Sequence, residues 1–200
     1  MLKHSVLCMI TALFLSTNVL AGDINGVTHE VKMTVDEVVR IVSDKEMKKN
    51  DQKRRQALKI SIGTIFDYDE MAKRSLGKHW KQRSAAERKQ FAELFASLLE
   101  NSYSGKIESY NNEKIVYLKE TIDGEYAEVK SKVVTAKRDE FTLDYRLINQ
   151  NGKWMVYDVV IEGVSLVSNY RTQFNKIIAT NGYPELVKKL QTKTDELKAP

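Results

Sequence analysis

Near Lys114 the spacing of apolar residues changes from a helical repeat to strict alternation, and past Gly163 it changes back. Apolar residues at every second position bury one face of a strand, whereas apolar residues three and four apart bury a helical stripe. The chain is therefore expected to fold as helices, then a sheet, then helices again. That order belongs to the α+β class, with helices packed on one face of a curved four-stranded antiparallel sheet. The strands are predicted at Ile115–Leu118, Tyr126–Ala136, Phe141–Asn149 and Lys153–Glu162. Asp123-Gly124 and Asn151-Gly152 are hairpin turns, because such pairs tolerate the positive φ that tight hairpins require. Pairing Gln150 with Lys153 sets Leu147 opposite Val156, Tyr145 opposite Asp158 and Leu143 opposite Val160. Phe141, Leu143, Tyr145, Leu147, Trp154, Val156 and Val160 then share the apolar side, and Asp144 and Arg146 mark the wetter one.

Helices flank this sheet. Thr34-Val35-Asp36-Glu37 reads as a capping box opening a helix with Val35, Val38, Val39 and Val42 on one face. A second helix is predicted from Asp51 to Phe66, with Leu58, Ile62 and Ile65 as its stripe. Asp67 starts a third that stops near Leu76-Gly77. Ser84-Ala85-Ala86-Glu87 is another box, and the stripe after it is the longest in the chain: Phe91, Leu94, Phe95, Leu98 and Leu99, continuing through Tyr103 to Ile107 and Tyr110. Beyond Gly163, Val164, Leu166, Val167, Tyr170, Phe174, Ile177 and Ile178 lie on one helix that ends at Asn181-Gly182. Pro184 begins the last helix, with a polar tail from Thr192 expected to fray. No repeat, linker or domain boundary interrupts the pattern.

Residues 1–21 read as a cleaved signal peptide. Lys3 and His4 precede the apolar run Val6–Leu15, and Val19 and Ala21 occupy the small-residue places before a cleavage point. The run is too short to span a bilayer. Residues 22–200 are then a single exported domain. The one cysteine, Cys8, falls in the removed segment, so the domain must be held by its own core, without disulfides. A bacterial periplasm suits such a chain. Two prolines and nine glycines exclude collagen-like and low-complexity readings. The net charge of +5 is spread along the sequence, which argues against nucleic-acid binding. Lys48, Lys49, Lys53, Arg54 and Arg55 gather at a helix start, readable as a solvated face or as a docking surface for an acidic partner.

Candidate chemistry is sparse. Past the leader the histidines are His29 and His79, and there is no HExxH, GxSxG, cysteine ligand cluster, phosphate loop or calcium loop. His79 is readable as a capping histidine or as a general base. Asp67, Asp69 and Glu70 sit where a helix starts, and there they cap free amides and complement its dipole. Asp158 falls beside Tyr145 in the assumed register. It is either a structural acid bonded to the tyrosine hydroxyl or a polar group inside a pocket.

Several stretches together carry a resemblance. Phe66-Asp67-Tyr68-Asp69-Glu70-Met71-Ala72 is followed by Leu76-Gly77-Lys78-His79-Trp80 and by Ser84-Ala85-Ala86-Glu87-Arg88-Lys89-Gln90-Phe91. Next come Phe95-Ala96-Ser97-Leu98-Leu99-Glu100-Asn101-Ser102-Tyr103 and the block from Gly152-Lys153-Trp154 to Val167. The combination resembles the MlaC or toluene-tolerance family, soluble periplasmic auxiliary components of a lipid ABC transporter. The resemblance implies a cone-shaped roll whose interior cavity holds phospholipid acyl chains, with phospholipid as cargo and no cofactor. It also implies two partners, an outer-membrane lipoprotein complex and an inner-membrane ABC transporter bearing an MCE-domain ring. A monomer is expected. The family includes hopanoid-associated branches, so another lipid is an alternative cargo.

The residues placed to wall such a cavity are Phe95, Leu98, Leu99, Tyr103 and Ile107 on the long helix. On the sheet they are Phe141, Leu143, Tyr145, Trp154, Val156 and Val160, and beyond it Val164, Val167 and Phe174. The same periodicity equally describes the face of a solid core. An exported enzyme on this fold would instead draw on Asp158, Tyr145 and His79. With no phosphate motif or arginine cluster in view, acyl chains rather than headgroups are expected to dominate affinity.

Overall fold

The computed structural model describes residues 26–198, so the leader predicted over residues 1–21 lies outside the described residues. In chain order come α1 (Val27–Ser43), α2 (Lys45–Lys48), α3 (Asp51–Gly63), α4 (Tyr68–Leu76) and α5 (Ala85–Glu108). The strands follow: β1 (Lys114–Asp123), β2 (Tyr126–Val134), β3 (Glu140–Gln150), β4 (Lys153–Ile161) and β5 (Val164–Ser165). Then come α6 (Leu166–Asn181) and α7 (Tyr183–Lys198), while a 3-10 segment, Gly77–Gln82, joins α4 to α5. The sheet runs β1-β2-β3-β4-β5 with every neighbour antiparallel. The α+β order read from the periodicity is thus observed, with five strands in place of four. The extra strand follows positive φ at Glu162 and Gly163, which turns Val164 and Ser165 back onto Ile161 and Val160. Two residues are too few to show a period.

Helix starts depend on which acceptors the amides find. At α5 the box forms: Glu87 N donates to Ser84 Oγ at 3.2 Å, and Ser84 N donates to Glu87 Oε2 at 2.8 Å. Asp67 caps α4 by accepting from Glu70 N at 2.9 Å. The box predicted at Thr34 does not form. Helix α1 starts at Val27 because Glu120 of β1 caps it, accepting from both the amide and the hydroxyl of Thr28 at 2.6 Å. Thr34 is mid-helix, its hydroxyl donating back to Glu30 O at 3.3 Å. Helix α7 continues past Thr192 to Lys198 and buries Thr194, so the expected fraying is not seen.

The hairpins follow their turn residues, with one shift. Asn151 and Gly152 both take positive φ, 55° and 88°, and Gln150 pairs with Lys153 as expected. In the first hairpin Asp123 pairs with Tyr126, so the turn is Gly124-Glu125 rather than Asp123-Gly124. The β3–β4 register holds as far as Leu147 opposite Val156, and Tyr157 is then bulged out. Beyond the bulge Asp158 pairs with Arg146, Tyr145 with Val159, Asp144 with Val160 and Leu143 with Ile161. One inserted residue exchanges the two faces. The assumed pairings of Tyr145 with Asp158 and of Leu143 with Val160 are therefore corrected. Val159 and Ile161 take the apolar side, while Asp158 and Val160 move to the side of Asp144 and Arg146.

Three buried clusters result. In the first, α4 to α7 close around stacked aromatics, with Phe174 edge-on to Phe91 and Phe95 at ring separations of 5.6 and 5.7 Å. The second joins the inner side of the sheet, including Val129, Tyr145, Leu147, Val156 and Val159, to Val27 and Val31 of α1. The third is small, Ile41, Val42 and Leu58, where α1 meets α3.

Candidate functional site

Between these clusters lies a cavity of about 1180 Å³. Its wall is assembled stripe by stripe. Val35, Val38, Val39 and Val42 lie on one face of α1, and Leu58 and Ile62 on one face of α3. Leu99, Tyr103, Ile107 and Tyr110 come from α5 and its end. The sheet contributes Ile115, Val133, Phe141, Leu143, Tyr145, Val159 and Ile161 at alternating positions, with Leu166, Phe66 and Met71 completing the lining. Polar lining gathers at the edge where α3 faces α5: Asp51, Gln52, Arg55, Gln56 and Lys59 on one side, Glu100, Asn101, Ser104 and Lys106 on the other, with Ser109 and Glu113 past the end of α5 and Thr34 on α1. Ion pairs bridge that edge. Lys59 Nζ is 3.0 Å from Glu100, and both Arg54 and Arg55 reach Glu108 at 3.2 Å.

The deeper polar groups are neutral. Burial pushes the Tyr145 hydroxyl well above the ordinary tyrosine range, and neighbouring Tyr117 and Asp144 push the same way. Burial likewise raises Tyr68, helped by the Glu100 carboxylate. Both phenols stay protonated, so the wall carries no tyrosinate.

Of the residues singled out from the sequence, Leu99, Tyr103, Ile107, Phe141, Leu143 and Tyr145 come together on this wall. Phe95, Leu98, Val167 and Phe174 belong to the solid α4–α7 cluster instead. Val156 and Trp154 pack in the cluster on the sheet's inner side. Val160 is on the opposite side of the sheet, and Val164 is 56% exposed in β5. Helix α5 explains the split, since its first half is packed by α4, α6 and α7 while its second half fronts open space. The valine stripe of α1 was visible in the sequence but not assigned to a wall.

The alternative constellation does not assemble. Asp158 is 3% exposed, and its carboxylate accepts from Ser165 Oγ at 2.6 Å, Val167 N at 3.0 Å and Arg146 Nη1 at 3.3 Å. It ties the start of α6 to the sheet, on the face away from Tyr145. His79 lies in the 3-10 segment and is not part of the lining. Among the described residues, no helix is long and apolar enough to cross a membrane.

Comparison with known proteins points the same way as the cavity. The sequence profile of the MlaC protein family matches residues 32–192. The Haemophilus influenzae "intermembrane phospholipid transport system binding protein MlaC" is 31% identical over 121 residues, which is 58% of this chain. The Pseudomonas putida "toluene tolerance protein ttg2D" is 29% identical over 128 residues, 63% of this chain. These alignments span 56% and 60% of the two curated relatives' own lengths. Among solved structures, the phospholipid-binding protein of Ralstonia solanacearum, determined in complex with a phospholipid, superposes with a TM-score of 0.78 at 28% identity. That match covers 86% of this chain and 98% of the other. A profile match over most of the chain, on a fold shared with a phospholipid-binding protein, makes this chain a member of the MlaC family.

Proposed function

We propose that the protein is a periplasmic carrier, and not an enzyme. It holds phospholipid acyl chains in the cavity between α1, α3, α5 and the sheet. It shuttles lipid between an outer-membrane lipoprotein complex and an inner-membrane MCE-type ABC transporter, as a monomer and without a cofactor. The observation that carries this reading is the cavity itself, whose walls are apolar and whose volume of about 1180 Å³ exceeds the usual ~300–1,000 Å³ of small-molecule pockets.

Physics gives such a space a purpose. Taking a two-chain lipid through water exposes about thirty methylenes at roughly 0.8 kcal/mol each, on the order of 25 kcal/mol. A free monomer essentially never makes that crossing. A carrier need only offer surroundings about as apolar as the bilayer, and the valine, isoleucine and leucine side chains around this space do so. Organic extraction and mass spectrometry of protein purified from the periplasmic fraction test the reading. Near-stoichiometric phospholipid is expected; protein that is absent from that fraction, or that carries no lipid, overturns it.

A further inference from the structure

The cavity's polar edge has an order that the sequence alone does not display. On α3, Asp51, Arg55 and Lys59 recur four residues apart, and on α5 Glu100, Ser104 and Glu108 do the same, so each set forms one stripe. The stripes meet at their charges, Lys59 with Glu100 at 3.0 Å and Arg55 with Glu108 at 3.2 Å. Glu100 and Glu108 are about 12 Å apart along the helix axis. The two pairs therefore bracket a polar gap, which Ser104 and Gln56 line.

The partners are held unequally. Glu108 keeps a second cation, Arg54, whose side chain is only 11% exposed. Arg55 and Lys59 are 58% and 56% exposed and can swing. Arg55 can thus leave Glu108 without stranding a carboxylate. Lys59 cannot leave Glu100 on the same terms, because among the described residues it is the one cation paired with Glu100. Charged lining residues also balance, Arg55, Lys59 and Lys106 against Asp51, Glu100 and Glu113.

We propose that this rim selects the headgroup of the bound lipid, favouring one that carries a phosphate and a primary ammonium together; the inference rests on the carrier reading. The phosphate draws Arg55 and Lys59 to itself. The ammonium takes the place of Lys59 at Glu100, so every charge at the rim keeps a partner. An anionic headgroup without the amine leaves Glu100 facing added negative charge. A trimethylated amine brings the positive charge but no N–H to donate. The acyl chains supply the affinity, and the rim adds a modest preference.

The test equilibrates the purified protein with vesicles holding equal amounts of phosphatidylethanolamine, phosphatidylglycerol and phosphatidylcholine with matched chains. The protein is then re-isolated and its lipid quantified by mass spectrometry. Bound phosphatidylethanolamine should exceed each of the others by roughly threefold, the contribution of one exposed ion pair. Glu100→Gln should bring the ratios to near unity. Lys59→Gln frees Glu100 and should raise the preference over phosphatidylglycerol. A bound mixture that matches the vesicles, or a preference that survives Glu100→Gln or vanishes in Lys59→Gln, overturns the headgroup inference and leaves the carrier reading standing. Failure to take up any lipid overturns both.

Discussion

Leu143 and Leu147 lie four residues apart on the same side of β3, yet one fronts the cavity and the other is fully buried in the sheet's cluster. Nothing in an alternating pattern separates them, because a cavity wall and a core face read alike. Substitution does separate them. Leu147→Ala should cost about 2–5 kcal/mol in chemical denaturation, while Leu143→Ala should cost clearly less, since flexible chains can occupy the freed volume. Leu143→Arg should still fold, its guanidinium reaching toward the mouth, but lose its lipid. Circular-dichroism melting with lipid extraction checks both halves, and a folded Leu143→Arg protein with full lipid would remove this side of the sheet from the pocket. Asp158 makes a different residue-scale point. Its placement was misread because the Tyr157 bulge sits where no turn or glycine announces it. Asp158→Ala strands the buried amide of Val167 and should cost about 1–3 kcal/mol. Asp158→Asn keeps one acceptor and should cost less.

At the scale of elements, legibility followed the range of the interaction that starts each helix. Helices α4 and α5 were read from Asp67 and Ser84 because their caps are built within three residues. The start of α1 was misplaced because its cap comes from Glu120, 92 residues away. This contrast yields paired expectations. Ser84→Ala should cost about 1 kcal/mol. Thr34→Ala removes no cap and improves helix propensity, so it should be neutral or stabilising by a few tenths of a kcal/mol. Urea titration of both variants decides which threonine or serine is a true helix start. The reciprocal bond of the box also titrates: the Ser84 amide, assisted by the Ser84 hydroxyl and Arg83, holds the Glu87 carboxyl below the usual glutamate range. A lowered carboxyl adds stability above its unfolded pKa and loses it as pH falls through the folded one. Glu87→Gln should therefore destabilise at neutral pH and become silent in acid, which denaturation at two pH values measures.

For the molecule as a whole, the succession of helices, sheet and helices is legible in the periodicity, whereas the cavity is implied only by the family resemblance. Empty volume is set by how far apart α1, α3, α5 and the sheet come to rest, and no local pattern encodes a distance between elements. The cationic helix start illustrates the same limit: the sequence shows only a run of lysines and arginines, and it is the fold that brings Arg54 and Arg55 to Glu108 of α5. Removing the lipid should lower the melting temperature, because a ligand bound only to the folded state stabilises it by mass action. The loss should not be uniform. The aromatic cluster among α4 to α7 meets the cavity only through Met71, Leu99 and their neighbours, so it remains close-packed whether or not the cavity is filled. Amide hydrogen exchange should accordingly speed up across α1, α3 and the second half of α5 in delipidated protein while the amides of α4, the first half of α5, α6 and α7 stay slow. On the carrier reading proposed above, each return journey is made unloaded, and division of the stability into a solid half and a fillable half lets the chain make it without unfolding, its lifetime set by the part that contributes least to the cavity wall.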